Sequence, residues 1–248
     1  MEIPPDFVMY VLIGFAAQLV DGALGMAYGV TASSLLLGFG VPPALSSATV
    51  HAAECFTTGA SAVSHHAFGN IDRKLFRRLL LPGVLGAAIG AYVLTRIDGD
   101  ALKPWVAGYL LLMGVIIVAK SFRELVPREV TSHVPVLGFF GAMLDAIGGG
   151  GWGPIVASNL LARGHALRLT VGSVNAVEFF VTLTASLVFL LTLGTTHLGI
   201  VFGLALGGVI AAPFGAWLVR FVRLRVLMPL VGGLVIALSL RTFYLAFA

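Results

Sequence analysis

The chain carries one segment twice, 124 residues apart, and this duplication constrains the fold more than any other feature. Between residues 21–58 and 145–182, 13 of 38 aligned positions are identical, where chance would give roughly a tenth. The identical pairs include Asp21 with Asp145, Gly25 with Gly149, Glu54 with Glu178 and Thr58 with Thr182. The sequence therefore predicts two copies of one unit, residues 1–121 and 134–248, joined by a cytoplasmic linker over 122–133.

Each unit is strongly apolar. Hydrophobic residues make up 58% of the 248 residues, the mean hydropathy is +1.01 and charged residues are only 10%, where soluble domains have about a quarter. The basic residues lie at the ends of apolar runs, as membrane topology requires, so the positive net charge does not indicate nucleic-acid binding. This composition predicts a multi-pass membrane protein.

Each unit begins with a long apolar segment that glycines interrupt, at 7–39 and 134–161. A single helix over 7–39 would measure roughly 50 Å, against a hydrocarbon core of about 30 Å. A break at the glycines predicts a re-entrant hairpin instead. Three further helices follow in each unit, at 44–66, 75–95 and 104–121, and at 167–192, 198–219 and 226–246.

The positive-inside rule distinguishes hairpins from full crossings. With full crossings, the Lys and Arg residues outside the membrane divide seven to seven; with two hairpins they divide twelve to two. The twelve are Arg73, Lys74, Arg77, Arg78, Lys120, Arg123, Arg128, Arg163, Arg168, Arg220, Arg223 and Arg225, against Arg96 and Lys103. A hairpin plus three crossings inverts the second unit, so the predicted fold is an all-α polytopic membrane protein of two inverted repeats. Secondary transporters recurrently have this architecture, and channels share it.

A polar stripe follows the first hairpin. Its members are spaced at four and three residues, which places them on one helical face: Ser47, His51, Glu54, Thr58, Ser61 and His65. The second repeat keeps Asn175, Glu178 and Thr182, and we expect the two sets to face each other. Glu54 and Glu178 are predicted to have a pathway or coupling role, with a hydrogen-bonded helix seam as the alternative.

The glycines of the hairpins are candidates for anion binding. Gly149, Gly150 and Gly151 allow successive backbone N–H groups to face a ligand at a helix start, and Gly25 offers a poorer version. Close helix packing is the alternative for such glycines. Asp21 and Asp145 precede the breaks, where they either cap the returning helix or take part in coupling. Because a carboxylate repels an anion, we expect Glu54 or Glu178 to be protonated during part of the transport cycle.

The run GGGGWGPIVASNLLARG with its repeat partner, and the segment GNIDRKLFRRLLLPGVLGAAIGAYV that follows this partner in the first repeat, resemble the sulfite exporter TauE/SafE family, also called the toluene-sulfonate uptake permeases. The resemblance covers essentially the whole chain. It implies a carrier of the bacterial inner membrane for sulfite, sulfonates or related sulfur anions, driven by an ion gradient. The first repeat departs from the family pattern, with Met26, Ala27 and Val30 where glycines and a proline are usual.

Together these observations predict a secondary transporter of a small sulfur-containing anion, with a proton as the coupling ion and no metal or cofactor. The predicted substrate-binding residues are Gly25, Met26, His51, Gly149, Gly150, Gly151, Trp152 and Asn175, and the predicted coupling residues are Asp21, Glu54, Asp145 and Glu178. A passive channel and a cation carrier stay open as alternative functions. A homodimer is an open possibility for the oligomeric state. An intramembrane enzyme is disfavoured because the chain has no zinc-protease, Ser-His or cofactor motif.

Overall fold

The computed structural model describes residues 6–26, 28–122, 133–163, 165–194, 198–219, 221 and 224–247. The predicted linker over 122–133 lies outside these residues except at its two ends, and Arg123, Arg128, Arg220 and Arg223 of the charge count lie outside them too. Within the described part the chain is helical and contains no strand. The helices are α1 Phe7–Leu24, α2 Tyr28–Gly38, α3 Pro43–Ala67, α4 Arg73–Leu94, α5 Gly99–Ser121, α6 Val134–Gly148, α7 Ser158–Ala162, α8 Leu167–Leu193, α9 Leu198–Leu218 and α10 Leu224–Phe247, with a π-helical turn at Gly153–Ala157 leading into α7.

The outer surface is that of a membrane protein. Of the described helices, α1, α4, α8 and α9 are long and apolar enough to cross a bilayer, and shorter apolar helical stretches lie at Pro104–Ala119, Val134–Gly148 and Gly232–Tyr244. Large apolar side chains such as Leu12, Trp105 and Leu191 are exposed on the outside, where a lipid environment would cover them. The predicted multi-pass class is therefore confirmed.

Both glycine-rich segments break where the sequence indicates. Helix α1 ends at Gly25 with φ +67°, and α6 ends at Gly149 with φ +69°, followed by Gly150 with φ +156°. These left-handed backbone conformations cost little only for glycine. Each long apolar segment is consequently two shorter helical pieces.

Helices that the duplication equates run antiparallel. In the contacts between α3 and α8, later residues of one helix meet earlier residues of the other. The contacts between α5 and α10 have the same order. The pairs in contact are Cys55 with Ser186, Thr58 with Thr182 and Ser61 with Asn175, and Gly114 with Ile236 and Val118 with Gly232.

The first broken segment returns to the end of the molecule from which it enters. Helix α1 runs parallel to α9, with Gly22 against Gly215, and α9 runs parallel to α3, with Ala53 packed against Val201 and Thr57 against Gly208. Helix α2 ends shortly before α3 begins. Since α1 and α3 begin at the same end, α1 and α2 form a hairpin.

The second broken segment enters from the opposite end. Helix α6 runs parallel to α4, with Leu79 near Gly138, and α4 runs parallel to α8, as the Asp72 to Ser173 hydrogen bond and the Phe76 to Phe180 ring contact require. Helix α7 ends just before α8 begins, so this segment is a hairpin as well. How these two ends face the two sides of a membrane, and with it the inverted topology, stays a prediction.

Candidate functional site

Six of the predicted site residues have ionisable or amide side chains, and all six are buried. They come from the two hairpins and from the central helices α3 and α8: Asp21, His51, Glu54, Asp145, Asn175 and Glu178. None is more than 4% exposed. No described Lys or Arg side chain is buried. Such groups are costly inside a membrane unless they are paired, so this cluster is the first candidate for a functional site.

Asp145 caps the second hairpin. Its Oδ1 accepts a hydrogen bond of 2.9 Å from the backbone N–H of Trp152, and its backbone carbonyl accepts from the N–H groups of Gly149 and Gly150. The capping alternative for this residue is thus realised. Two backbone donors that the sequence assigned to an anion, those of Gly149 and Gly150, are bonded inside the turn in this structure, and a backbone hydrogen bond likewise joins Tyr28 to Asp21.

His51 links the polar stripe of α3 to Asp145 in the other repeat. Its Nδ1 lies 2.8 Å from the carbonyl oxygen of Ser47, which can only accept, so Nδ1 carries a hydrogen. Its Nε2 lies 3.2 Å from Oδ2 of Asp145. That contact therefore holds one proton, on the imidazole or on the carboxyl, and the pair is neutral overall in either form.

Asn175 is the repeat equivalent of His51 and reproduces half of its contacts. Its Nδ2 donates to the carbonyl oxygen of Val171 at 3.1 Å, as Nδ1 of His51 does to Ser47. Its Oδ1 accepts from Ser61 at 3.0 Å. Asn175 is thus engaged at both ends within the α3–α8 interface.

The two glutamates lie on the central helices beside the hairpin tips. A Cβ built on Gly29 would lie 3.1 Å from Oε1 of Glu54, so this carboxyl reaches the first hairpin tip. Within the described part of the chain, Oε2 of Glu54 and Oε2 of Glu178 have no hydrogen-bond partner. Both glutamates interact electrostatically with Asp21 and Asp145.

The two hairpin tips touch. A Cβ on Gly29 would lie 2.8 Å from Cα of Gly150, and one on Gly153 would strike Met26. Ser33 of α2 donates a hydrogen bond to the carbonyl oxygen of Gly149. The predicted binding glycines, Met26 and the buried Trp152 consequently lie together, beside the carboxyl groups.

Two residues of this region, Gln18 and Tyr109, are not among the site residues predicted from the sequence. Gln18 is fully buried and, among the residues that the structure describes, neither amide atom has a partner. It precedes Asp21 by three residues on the same face of α1, a spacing that could have indicated it. Tyr109 lies against Gly148 and Gly151, and nothing in its apolar surroundings in the sequence distinguishes it.

An apolar groove opens on the surface of the helices. It has a volume of about 140 Å³ and is lined by residues of α3, α8 and α9, including Ala48, Ser186 and Phe189. The Phe189 ring is buried, and its centroid lies 6.0 Å from that of His51 in an edge-on arrangement. Phe189 therefore both lines the groove and contacts the ring of His51.

The chain is similar to proteins of a known family. The family model described as Sulfite exporter TauE/SafE matches residues 10–242. A Bacillus subtilis (strain 168) protein named Probable membrane transporter protein YtnM is 43% identical over 245 residues, which cover 95% of this chain and 82% of that protein. An Arabidopsis thaliana protein named Sulfite exporter TauE/SafE family protein 3 is 32% identical over 92 residues, which are 37% of this chain and 19% of that protein. No solved structure matches the chain.

Proposed function

The chain belongs to the sulfite exporter TauE/SafE family of membrane transporters, and we propose that it carries a small sulfur-containing anion, of the sulfite or organosulfonate class, as a proton-coupled secondary transporter. As a multi-pass protein it resides in the cell membrane, the inner membrane where a cell has two. One relative is named a probable membrane transporter, and another is named a sulfite exporter family protein.

The observation that carries the proposal is the buried polar cluster between two opposed hairpins. Hairpins that enter from opposite ends and meet at their tips are a geometry in which a central site can be opened to one side at a time. The antiparallel arrangement of equivalent helices supports inverted repeats, which is the architecture that alternating access uses. We place the substrate at the hairpin tips, next to Gly25, His51 and Gly149–Gly151.

The charge of the cluster supports coupling to protons. With all four carboxyl groups ionised and the imidazole protonated, the cluster would have a net charge of −3. Two like unit charges 4 Å apart repel by about 4 kcal/mol at an effective dielectric constant of 20. An anion beside this cluster therefore needs protons on some of the carboxyls, and Glu54 and Glu178, each with an unpartnered oxygen among the described residues, are the ones we assign. Anion and protons would then move together.

A cation carrier is the second candidate function, because the cluster has four carboxyl groups and a single imidazole. In this reading the acids bind the transported ion directly and no anion enters. A passive channel on the same scaffold would differ because it never accumulates its solute above the equilibrium distribution.

Purified protein in proteoliposomes separates these functions. With a pH gradient, the proposal expects sulfite or a small alkylsulfonate to accumulate on the alkaline side above its equilibrium distribution. Flux that only equilibrates would indicate a channel. Gradient-driven flux of a metal cation with no flux of any sulfur anion would establish the cation carrier instead.

A further inference from the structure

The two repeats differ at one atom of the cluster. Asp21 and Asp145 are repeat equivalents, both 2% exposed. Oδ2 of Asp145 lies 3.2 Å from Nε2 of His51, whereas Oδ2 of Asp21 has no hydrogen-bond partner among the described residues. The reason lies in the sequence: the equivalent of His51 is Asn175, whose amide is bonded to Val171 and Ser61.

Asp21 is therefore a buried carboxyl without the imidazole partner that its equivalent has. Within the part of the chain that the structure describes, the titratable side chains that interact with Asp21 are acids and a tyrosine: Asp145 from α6, Glu54 from α3, Glu178 from α8 and Tyr28 from α2. A buried carboxylate is stable only with a cation, or with a proton of its own.

Two further unpartnered acceptors belong to side chains near Asp21. Gln18 lies three residues earlier on the same face of α1, and its Oε1 has no partner within the described ranges. Oε2 of Glu178 is unpartnered as well, and this carboxyl interacts electrostatically with Asp21. Carboxylate and amide oxygens are the ligands that hard cations prefer.

We propose that Asp21 binds an exchangeable monovalent cation, H⁺ or Na⁺, in the role that the imidazole of His51 has in the other repeat. Gln18 and Glu178 supply the neighbouring oxygen atoms. One repeat thus has a fixed imidazole partner for its aspartate, and the other takes its partner from solution. The use of this cation for coupling rests on the proposed transport function, whereas its binding does not.

Thermal unfolding of the purified protein in detergent tests the binding, because a ligand that binds the folded state raises Tm. In one series NaCl replaces choline chloride at constant pH and ionic strength, and in a second series pH varies without Na⁺. A rise of several degrees in wild-type Tm with Na⁺ identifies sodium, and a pH dependence that Asp21→Asn abolishes identifies the proton. Asp6→Asn, which alters an exposed acid at the start of α1, is the matched control and should respond as wild type.

Two further variants exchange the side chains of the repeat equivalents His51 and Asn175, and their responses to the cation are compared. Asn175→His places an imidazole where the first repeat has one, so it should abolish the response to the cation while the protein stays folded. His51→Asn should add a second responsive site at Asp145 and enlarge the response. This pair of variants also decides the matter where Asp21→Asn does not fold.

A response in Asp21→Asn and Asn175→His equal to that of wild type in both series would overturn the proposal. The measurement needs no substrate. A cation response without transport of any sulfur anion would therefore refute the proposed function alone, and transport without a cation response specific to Asp21 would refute this inference alone.

Discussion

Thr58 and Thr182, which the duplication equates, face each other with their Oγ1 atoms 3.4 Å apart. Two equivalent residues approach this closely only near an axis that relates the repeats, so this pair lies where the twofold axis of the predicted inverted repeats would pass. Glu54 and Glu178 lie one helical turn from the pair on their respective helices. The carboxyl groups are therefore arranged around the axis, where a single substrate would contact both repeats.

We expect Glu54→Gln and Glu178→Gln each to reduce accumulation of the sulfur anion driven by a pH gradient. One coupled proton contributes a factor of about ten per pH unit, because one unit corresponds to about 1.36 kcal/mol. Loss of one proton site should lower the accumulation ratio by about that factor while anion exchange without a gradient continues. Accumulation is measured in proteoliposomes with Asp6→Asn as control, and an unchanged ratio in both Gln variants would contradict the assignment.

Asp145 accepts a hydrogen bond from the Trp152 N–H and contacts His51, and two substitutions of Asp145 should separate the contributions of these contacts to stability. Asp145→Ala removes the cap of Trp152 and leaves His51 buried without its partner, for which we expect a loss of about 3–5 kcal/mol in the free energy of unfolding. Asp145→Asn keeps an oxygen that can accept from the Trp152 N–H and should lose much less. Unfolding in mixed micelles measures both, and equal losses in the two variants would show that the cap contributes nothing.

Much of the fold follows from the sequence because its causes are local. Apolar runs of helical length give the helices to within a few residues, and glycines that alone tolerate positive φ give the breaks at Gly25 and Gly149. The polar stripe of α3 was predicted from spacing alone, and its contact with α8 through Thr58 and Thr182 is present. The roles assigned to the site residues stay predictions.

What the sequence did not indicate depends on contacts between distant segments. Spacing puts His51 on a face of α3, but nothing local indicates that Asp145 of the other repeat meets its ring. The glycine run suggested free N–H donors, yet the turn that forms directs those of Gly149 and Gly150 to Asp145. The π-helical turn at Gly153–Ala157 likewise has no counterpart in the helical spacing.

Gly150→Ala should prevent the hairpin tips from closing. Its φ of +156° disfavours any side chain, and a Cβ there would strike the backbone of Val30 and Gly29. We expect a cost of about 1–3 kcal/mol in stability from overpacking, together with loss of gradient-driven transport. Gly108→Ala is the matched control, because a Cβ at Gly108 meets no atom of the described residues within 4 Å. Normal transport by Gly150→Ala would show that the tips need not touch.

Phe189→Ala should connect the apolar groove to the site. The ring is 1% exposed, lines the groove and contacts His51, so its removal costs stability, by about 3–5 kcal/mol for a buried Phe. It also removes an apolar barrier of the kind that excludes water and ions. We expect passive anion flux in the absence of a gradient to rise above that of wild type. Phe180→Ala, at a residue of the same helix that is 38% exposed, is the control for a loosened helix. An equal rise in both variants, or in neither, would mean that Phe189 packs the core without closing a path.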